Sequence, residues 1–151
     1  MTINELPRPE HLLPHRGIAL VLDEITELEE DRATGLWTPD ERYFDGHFPQ
    51  EAVLPGHWQT ESVALIGACA VLAKSPDLLM LFRENHGVFK KQVKPGDTLE
   101  VTAIFGEIEE TERDGIKMLT ATGKGTAKVD GKLAYQARIL KAVAFPKGSE
   151  E

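Results

Sequence analysis

The residues best suited to chemistry lie between Gly46 and Glu61. His47 stands in a segment punctuated by Gly46, Pro49, Pro55 and Gly56, and Glu61 follows it by fourteen positions, at the head of the apolar run 63–73. An imidazole titrates near neutrality and suits a general base. A carboxylate opening an apolar helix is costly to leave unpaired, so Glu61 needs a partner or a task. Pro55 and Gly56 mark a helix start, whose amides and positive dipole end favour negative charge. A base, a carboxyl group and helix-end amides are thus brought within reach of one small substrate. His57 and Glu61, four apart on a helix, also share a face; with His47 they could supply three ligands for zinc or iron, although no Cys ligand joins them.

The elements that position these groups follow from periodicity. From Pro55 to about Lys74 the chain reads as one helix, closed by Ser75-Pro76 and apolar on nearly every face from Val63 onward, so it is expected to be buried all round. Ile18–Leu22 and Ala33–Thr38 are two candidate strands, separated by an acidic turn over Glu27–Asp31. Leu99, Val101, Ala103 and Phe105 alternate with polar Thr98, Glu100 and Thr102 in the period of a half-buried strand. Turns are expected at Lys94-Pro95-Gly96-Asp97 and Arg113-Asp114-Gly115, and Asp130-Gly131 is a two-residue hairpin signal between strands at Ile116–Val129 and Leu133–Phe145. One apolar helix and several long antiparallel strands hide the helix only if the sheet curls around it, an α+β arrangement.

Composition bounds the function. At 151 residues, 41% apolar and 28% charged, the chain has the length of one globular domain, 1–151, with a core that needs no disulfide or metal staple. No apolar run nears the ~20 residues of a membrane span, the first residues lack a secretory pattern, and Cys69 is the lone cysteine; a cytoplasmic location is expected. A net charge of −8 argues against a nucleic-acid partner. The local exception is Arg83, Lys90, Lys91 and Lys94, with His86 among them. These are either a solvated strand face or a docking patch for an acidic carrier.

His47-Phe48-Pro49, Pro55-Gly56 and Glu61 resemble the signature of the 3-hydroxyacyl-[acyl carrier protein] dehydratases of fatty-acid synthesis. Leu12-Leu13-Pro14-His15-Arg16 is similar to that family's N-terminal block, and Phe89-Lys90-Lys91-Gln92-Val93-Lys94-Pro95-Gly96-Asp97 to its strand-turn block, so the likeness spans roughly residues 12–144. The resemblance implies the hot-dog fold, with a central helix wrapped by a curved antiparallel sheet. It also implies removal of water from a 3-hydroxyacyl thioester carried on acyl carrier protein or coenzyme A. His47 would be the base and Glu61 the acid, kept protonated by apolar Val63, Ala64 and Leu65. The backbone N–H of Gly56 or His57 would hold the thioester oxyanion, and Phe48, Pro49, Trp58 and Leu65 would line the substrate. No cofactor or metal is implied, and because one site draws on two subunits, a homodimer or dimer-based oligomer is.

Glu rather than Asp at position 61 is like members that dehydrate without isomerising the double bond. Leu65 stands where the family usually has Gln, and His57-Trp58-Gln59-Thr60 and Gln50-Glu51-Ala52 replace smaller residues, which implies an atypical pocket. A hot-dog thioesterase or a non-catalytic acyl-binding module is the competing reading, because fold does not fix function.

Overall fold

The computed structural model describes residues 6–45 and 52–148. A short helix α1 (Pro9–Leu12) precedes strands β1 (Glu24–Leu28) and β2 (Arg32–Trp37); the long helix α2 (Gly56–Leu72) then leads into β3 (Leu78–Phe89), β4 (Leu99–Arg113), β5 (Ile116–Val129) and β6 (Lys132–Pro146). All six strands form one antiparallel sheet in the order β1-β2-β4-β5-β6-β3. Because β3 follows the helix yet pairs with β6 at the far edge, the helix crosses the sheet between its two edges.

The expected helix is present, and every residue from Ser62 to Leu72 is buried. Pro76 ends it by disfavouring helical backbone at Ser75. Close seating depends on small residues in the sheet: a Cβ on Gly125 would run into Val63 Cγ1, and Gly67 of the helix sits against Phe105, Ala103 and Phe82. On β4 the period-two pattern holds, with Leu99, Val101, Ala103 and Phe105 at 2% exposure or less. It stops at the bulge between Phe105 and Glu107. Beyond Ile104, β4 loses β2 as a neighbour, and 106–113 is exposed on both faces. Glu107, Glu109, Glu110 and Glu112 lie on that stretch, and their charge blunts an edge otherwise open to foreign strands. Asp114-Gly115 and Asp130-Gly131 turn the chain with positive φ at both residues of each pair, the backbone that two-residue hairpins require.

The N-terminal third differs from expectation. Gly17–Ala19 is a turn of 3-10 helix and Ile18–Leu22 forms no strand; β1 instead begins at Glu24 and takes in part of the acidic segment expected to turn. The reason is local. The Ile18 carbonyl accepts from Tyr43 Oη at 2.8 Å and the Val21 carbonyl from Ser62 Oγ at 2.7 Å, so side chains take the bonds a strand neighbour would take. Val21 and Leu22 are buried as a lid on the helix. Arg16 fixes this segment by donating to the carbonyls of Glu10, Leu13 and His15 at 2.6–2.9 Å.

Cys69 is fully buried in α2, and burial pushes its thiol from the ordinary 9.0 up to about 12. Two results are expected. The native protein resists thiol alkylation at pH 8 and reacts only when unfolded, since the thiolate is the nucleophile. And because the folded pKa is the higher one, the contribution of this thiol to stability is whole below pH 9 and declines as pH rises from about 9 to 12, the range in which only the unfolded chain ionises. Denaturant midpoints of wild type and Cys69→Ala across that range check the second; parallel curves would count against it.

Candidate active site

Helix α2 begins at Gly56 with Pro55 as its cap residue, which has no side-chain acceptor to offer; the earliest turn bond runs from Trp58 N–H to Pro55 O at 3.1 Å. Among the described residues the N–H groups of Gly56 and His57 find no carbonyl. They are the orphan donors every helix start presents, at the positive end of a dipole here about five turns long.

An aromatic series anchors this end. Trp37 meets Tyr43 edge-to-face with centroids 5.0 Å apart, Tyr43 meets Trp58 likewise at 5.0 Å, and His57 lies tilted over Trp58 at 4.8 Å. Burial raises the Tyr43 phenol above its usual pKa, with the Arg42 guanidinium opposing. The hydroxyl therefore stays a neutral donor to Ile18 O. Trp58 is thus packed between neighbours, and His57 stands exposed beside it.

Glu61 lies one turn further in and is half-buried; among the described residues its side chain has no hydrogen bond or ion pair. The residues that follow it on the helix, Val63, Ala64 and Leu65, are buried and apolar, and Ser62 is committed to Val21 O. Leu65, one turn after Glu61, is part of the core at 3% exposure. His47, Phe48 and Pro49 lie outside the described residues.

The opposite wall comes from the segment after β3. Leu54 N–H donates to Val93 O at 2.8 Å, and the Phe89 ring is so close to Gly56 that a Cβ there would meet its Cε1 and Cζ at 2.8 Å. Phe89 is 53% exposed. Lys90 and Lys91 follow, both with N–H groups directed at Ala134 O at 2.8 and 3.2 Å. Lys94 opens a turn closed by its own N–H to Asp97 Oδ2 at 2.9 Å. All three lysines are exposed, on a segment whose Phe89 and Val93 meet Gly56 and Leu54. Arg83, by contrast, sits mid-strand on β3, roughly 20 Å away from Lys90 at ~3.3 Å per strand residue. His86 is held by Glu84 at 3.3 Å, and Glu84 also holds Lys141 at 3.4 Å. The basic run in the sequence is therefore two groups in space: Lys90, Lys91 and Lys94 at the site, Arg83 and His86 along the sheet edge.

Two residues of this end were not singled out by sequence. Phe89 appeared only within a matched block, and its place against Gly56 depends on a pairing between distant strands. Gln59 is 2% exposed, and its Oε1 has no partner among the described residues. A glutamine inside a buried helical run was the available signal. Among the described residues no three potential ligands gather to hold a metal, and no helix is long and apolar enough to cross a membrane.

Comparison with known proteins adds to this geometry. Residues 13–138 match the model of the family described as a FabA-like domain. A 3-hydroxyacyl-[acyl-carrier-protein] dehydratase FabZ of Clostridium botulinum (strain Okra) is 38% identical over 146 residues, covering 93% of this chain and 94% of its own. The FabZ of Bacillus velezensis is 40% identical over 140 residues, covering 89% and 94%. Among solved structures, a sigma28-regulated virulence protein from Campylobacter jejuni superposes with a TM-score of 0.66 at 12% identity, covering 88% of this chain and 82% of that one. An uncharacterized protein from Pyrococcus horikoshii gives 0.60 at 13%, covering 86% of both. At such identity these two speak for the fold alone, which is the hot-dog fold. With a family model spanning most of its length and relatives this similar end to end, the chain belongs to the FabA-like family, alongside the FabZ dehydratases.

Proposed function

We propose that this protein is a 3-hydroxyacyl-[acyl-carrier-protein] dehydratase that removes water from a 3-hydroxyacyl thioester to give the trans-2-enoyl thioester in fatty-acid synthesis. Family membership supports the reaction class. The observation that carries it to particular residues is a half-buried Glu61 whose side chain has no partner among the described residues, one turn inside a helix whose first amides find no carbonyl among them. In this reading His47 takes the proton from carbon 2, and the developing charge on the thioester oxygen is met by the N–H of Gly56 or His57. Glu61 gives a proton to the carbon 3 hydroxyl, which leaves as water while the double bond forms between carbons 2 and 3. Trp58, Leu65, Phe48 and Pro49 contribute to the walls. Rates on purified protein with 3-hydroxyacyl thioesters, and for the reverse hydration, test the reading. Release of free thiol without enoyl product would favour a thioesterase.

The working unit in this proposal is a dimer. Strand β3 is an edge of twelve residues that exposes Leu81 and Phe89 at 50% and 53%, and an open strand edge is stabilised when another strand pairs with it. In this proposal a second copy meeting β3 completes each site, its His47 serving the Glu61 of the first.

Lys90, Lys91 and Lys94 are assigned to docking of an acidic carrier protein. Reversing all three to Glu is expected to raise the KM for acyl carrier protein substrates several-fold or more, most strongly at low salt. A small thioester analogue should be turned over nearly as before. Equal loss on both substrates would assign the lysines to the pocket or the fold.

A further inference from the structure

Tyr135 of β6 is almost fully buried at 1% exposure, yet it reaches the outermost strand at two points. Its hydroxyl donates to Asn85 Oδ1 at 2.6 Å, and its ring lies against Phe89 with centroids 5.0 Å apart and planes at 34°. Between those contacts sits Gly87, where a Cβ would overlap the Tyr135 hydroxyl and ring. Asn85, Gly87 and Phe89 are spaced by two along β3, so one tyrosine side chain underlies three consecutive alternate positions of the edge strand. The pairing shifts register beside it, His86 facing Ile139 and Gly87 facing Ala137.

Phe89 needs such support. It is the last residue of β3 and more than half exposed, and its ring lies against Gly56 at the helix start. An exposed aromatic at a strand end is free to change rotamer unless a neighbour fixes it. Here the fixed neighbour is Tyr135, whose orientation is set in turn by Asn85. The series Asn85, Tyr135, Phe89, Gly56 runs unbroken from the sheet edge to the helix start. We propose that Tyr135, oriented by Asn85, is a positioning residue that holds Phe89 across the mouth at the helix start and so sets which acyl chains are accepted. The inference rests on the dehydratase reading of that site. Tyr135 touches no reacting atom; it acts through the apolar ring that an acyl chain passes. A rigid wall discriminates sharply between chain lengths, and a loosened one discriminates less.

The test compares kcat/KM for hydration of butenoyl, octenoyl and dodecenoyl pantetheine thioesters. Tyr135→Phe and Asn85→Ala each remove the one hydrogen bond and keep the ring under Phe89, while Phe89→Ala removes the wall. The spread between the best and worst chain length is expected to narrow about five-fold or more in Phe89→Ala and in the same sense, by a smaller factor, in the other two. Tyr135→Phe combined with Phe89→Ala should narrow it no further than Phe89→Ala alone, because the tyrosine acts only through that ring. A merely structural tyrosine would lower thermal stability or scale all three rates together, leaving the spread unchanged. An unchanged spread in Tyr135→Phe and Asn85→Ala, with an altered one in Phe89→Ala, overturns the positioning role and leaves the mouth where it is. An unchanged spread in Phe89→Ala removes Phe89 from the mouth and the proposal with it. Absence of hydration by the wild-type protein on every chain would instead sink the dehydratase reading.

Discussion

Glu61→Gln is expected to abolish hydration of a trans-2-enoyl thioester while leaving the fold in place, a loss of about 10²–10⁴-fold. The substitution keeps shape and burial, and the Glu61 side chain makes no hydrogen bond or ion pair among the described residues that the amide would break. What it removes is the ability to pass a proton between carbon 3 oxygen and protein. His47→Ala should cost a similar factor for the complementary reason, since in hydration carbon 2 then has no imidazole to give it the proton that the same group takes in dehydration. Circular dichroism and the thermal midpoint separate chemistry from folding. Glu61→Gln with full activity, joined to an unfolded Glu61→Ala, would make the carboxyl a structural group, and His47→Ala with an unchanged rate would take the imidazole out of the mechanism.

The contrast between Glu61 and its neighbours explains why this part of the molecule was readable before its structure. A charge at the head of a run such as Val63–Leu72 violates local patterning, and violations of that kind gather at functional sites. The helix was legible because its composition allows little else, and β4, β5 and β6 because their alternation and Asp-Gly turns are strong local signals. Strands β1 and β3 were not. Of the five residues of β1 only Ile25 is buried, so the segment reads as polar, and what makes it a strand is the neighbouring β2. In β3 the stretch Arg83–Gly87 is polar and interrupted by two register shifts, and the strand pairs with β6 across long stretches of sequence, from Leu78 with Pro146 to Phe89 with Tyr135.

The same distinction governs the site. Glu61, Gly56 and His57 are close in sequence and on one helix, so local reasoning reaches them. Phe89 comes to Gly56 only because β3 runs back along the edge of the sheet, and Tyr135 comes to Phe89 only because β6 is paired with that edge. Likewise Ile18–Leu22 has the composition of a strand, and tertiary partners, Tyr43 and Ser62, claim its carbonyls. Arg83 and Lys90 are near in sequence but far apart in space for the opposite reason: a strand extends, so residues seven apart stand roughly 20 Å from each other at ~3.3 Å per residue.

Mixing His47→Ala protein with Glu61→Gln protein is the most demanding test of the proposed dimer, because neither variant alone has a working site. If the imidazole of one subunit serves the carboxyl of the other, a mixed dimer holds one intact pair and one doubly altered pair. Random exchange makes about half of all dimers mixed, so about a quarter of wild-type activity should return if the sites act independently. Subunit exchange is verified first, for instance with differently tagged chains, so that the readout depends on site composition alone. Recovery near that level would fix the pairing across the interface. It would also explain why the Glu61 side chain makes no bond within the described residues of its own chain, since the groups it faces would belong to the second copy seated on β3 and to the substrate. With exchange verified and no activity returned, both residues would have to act within one subunit, and the exposed edge of β3 would lose its proposed part in completing the site.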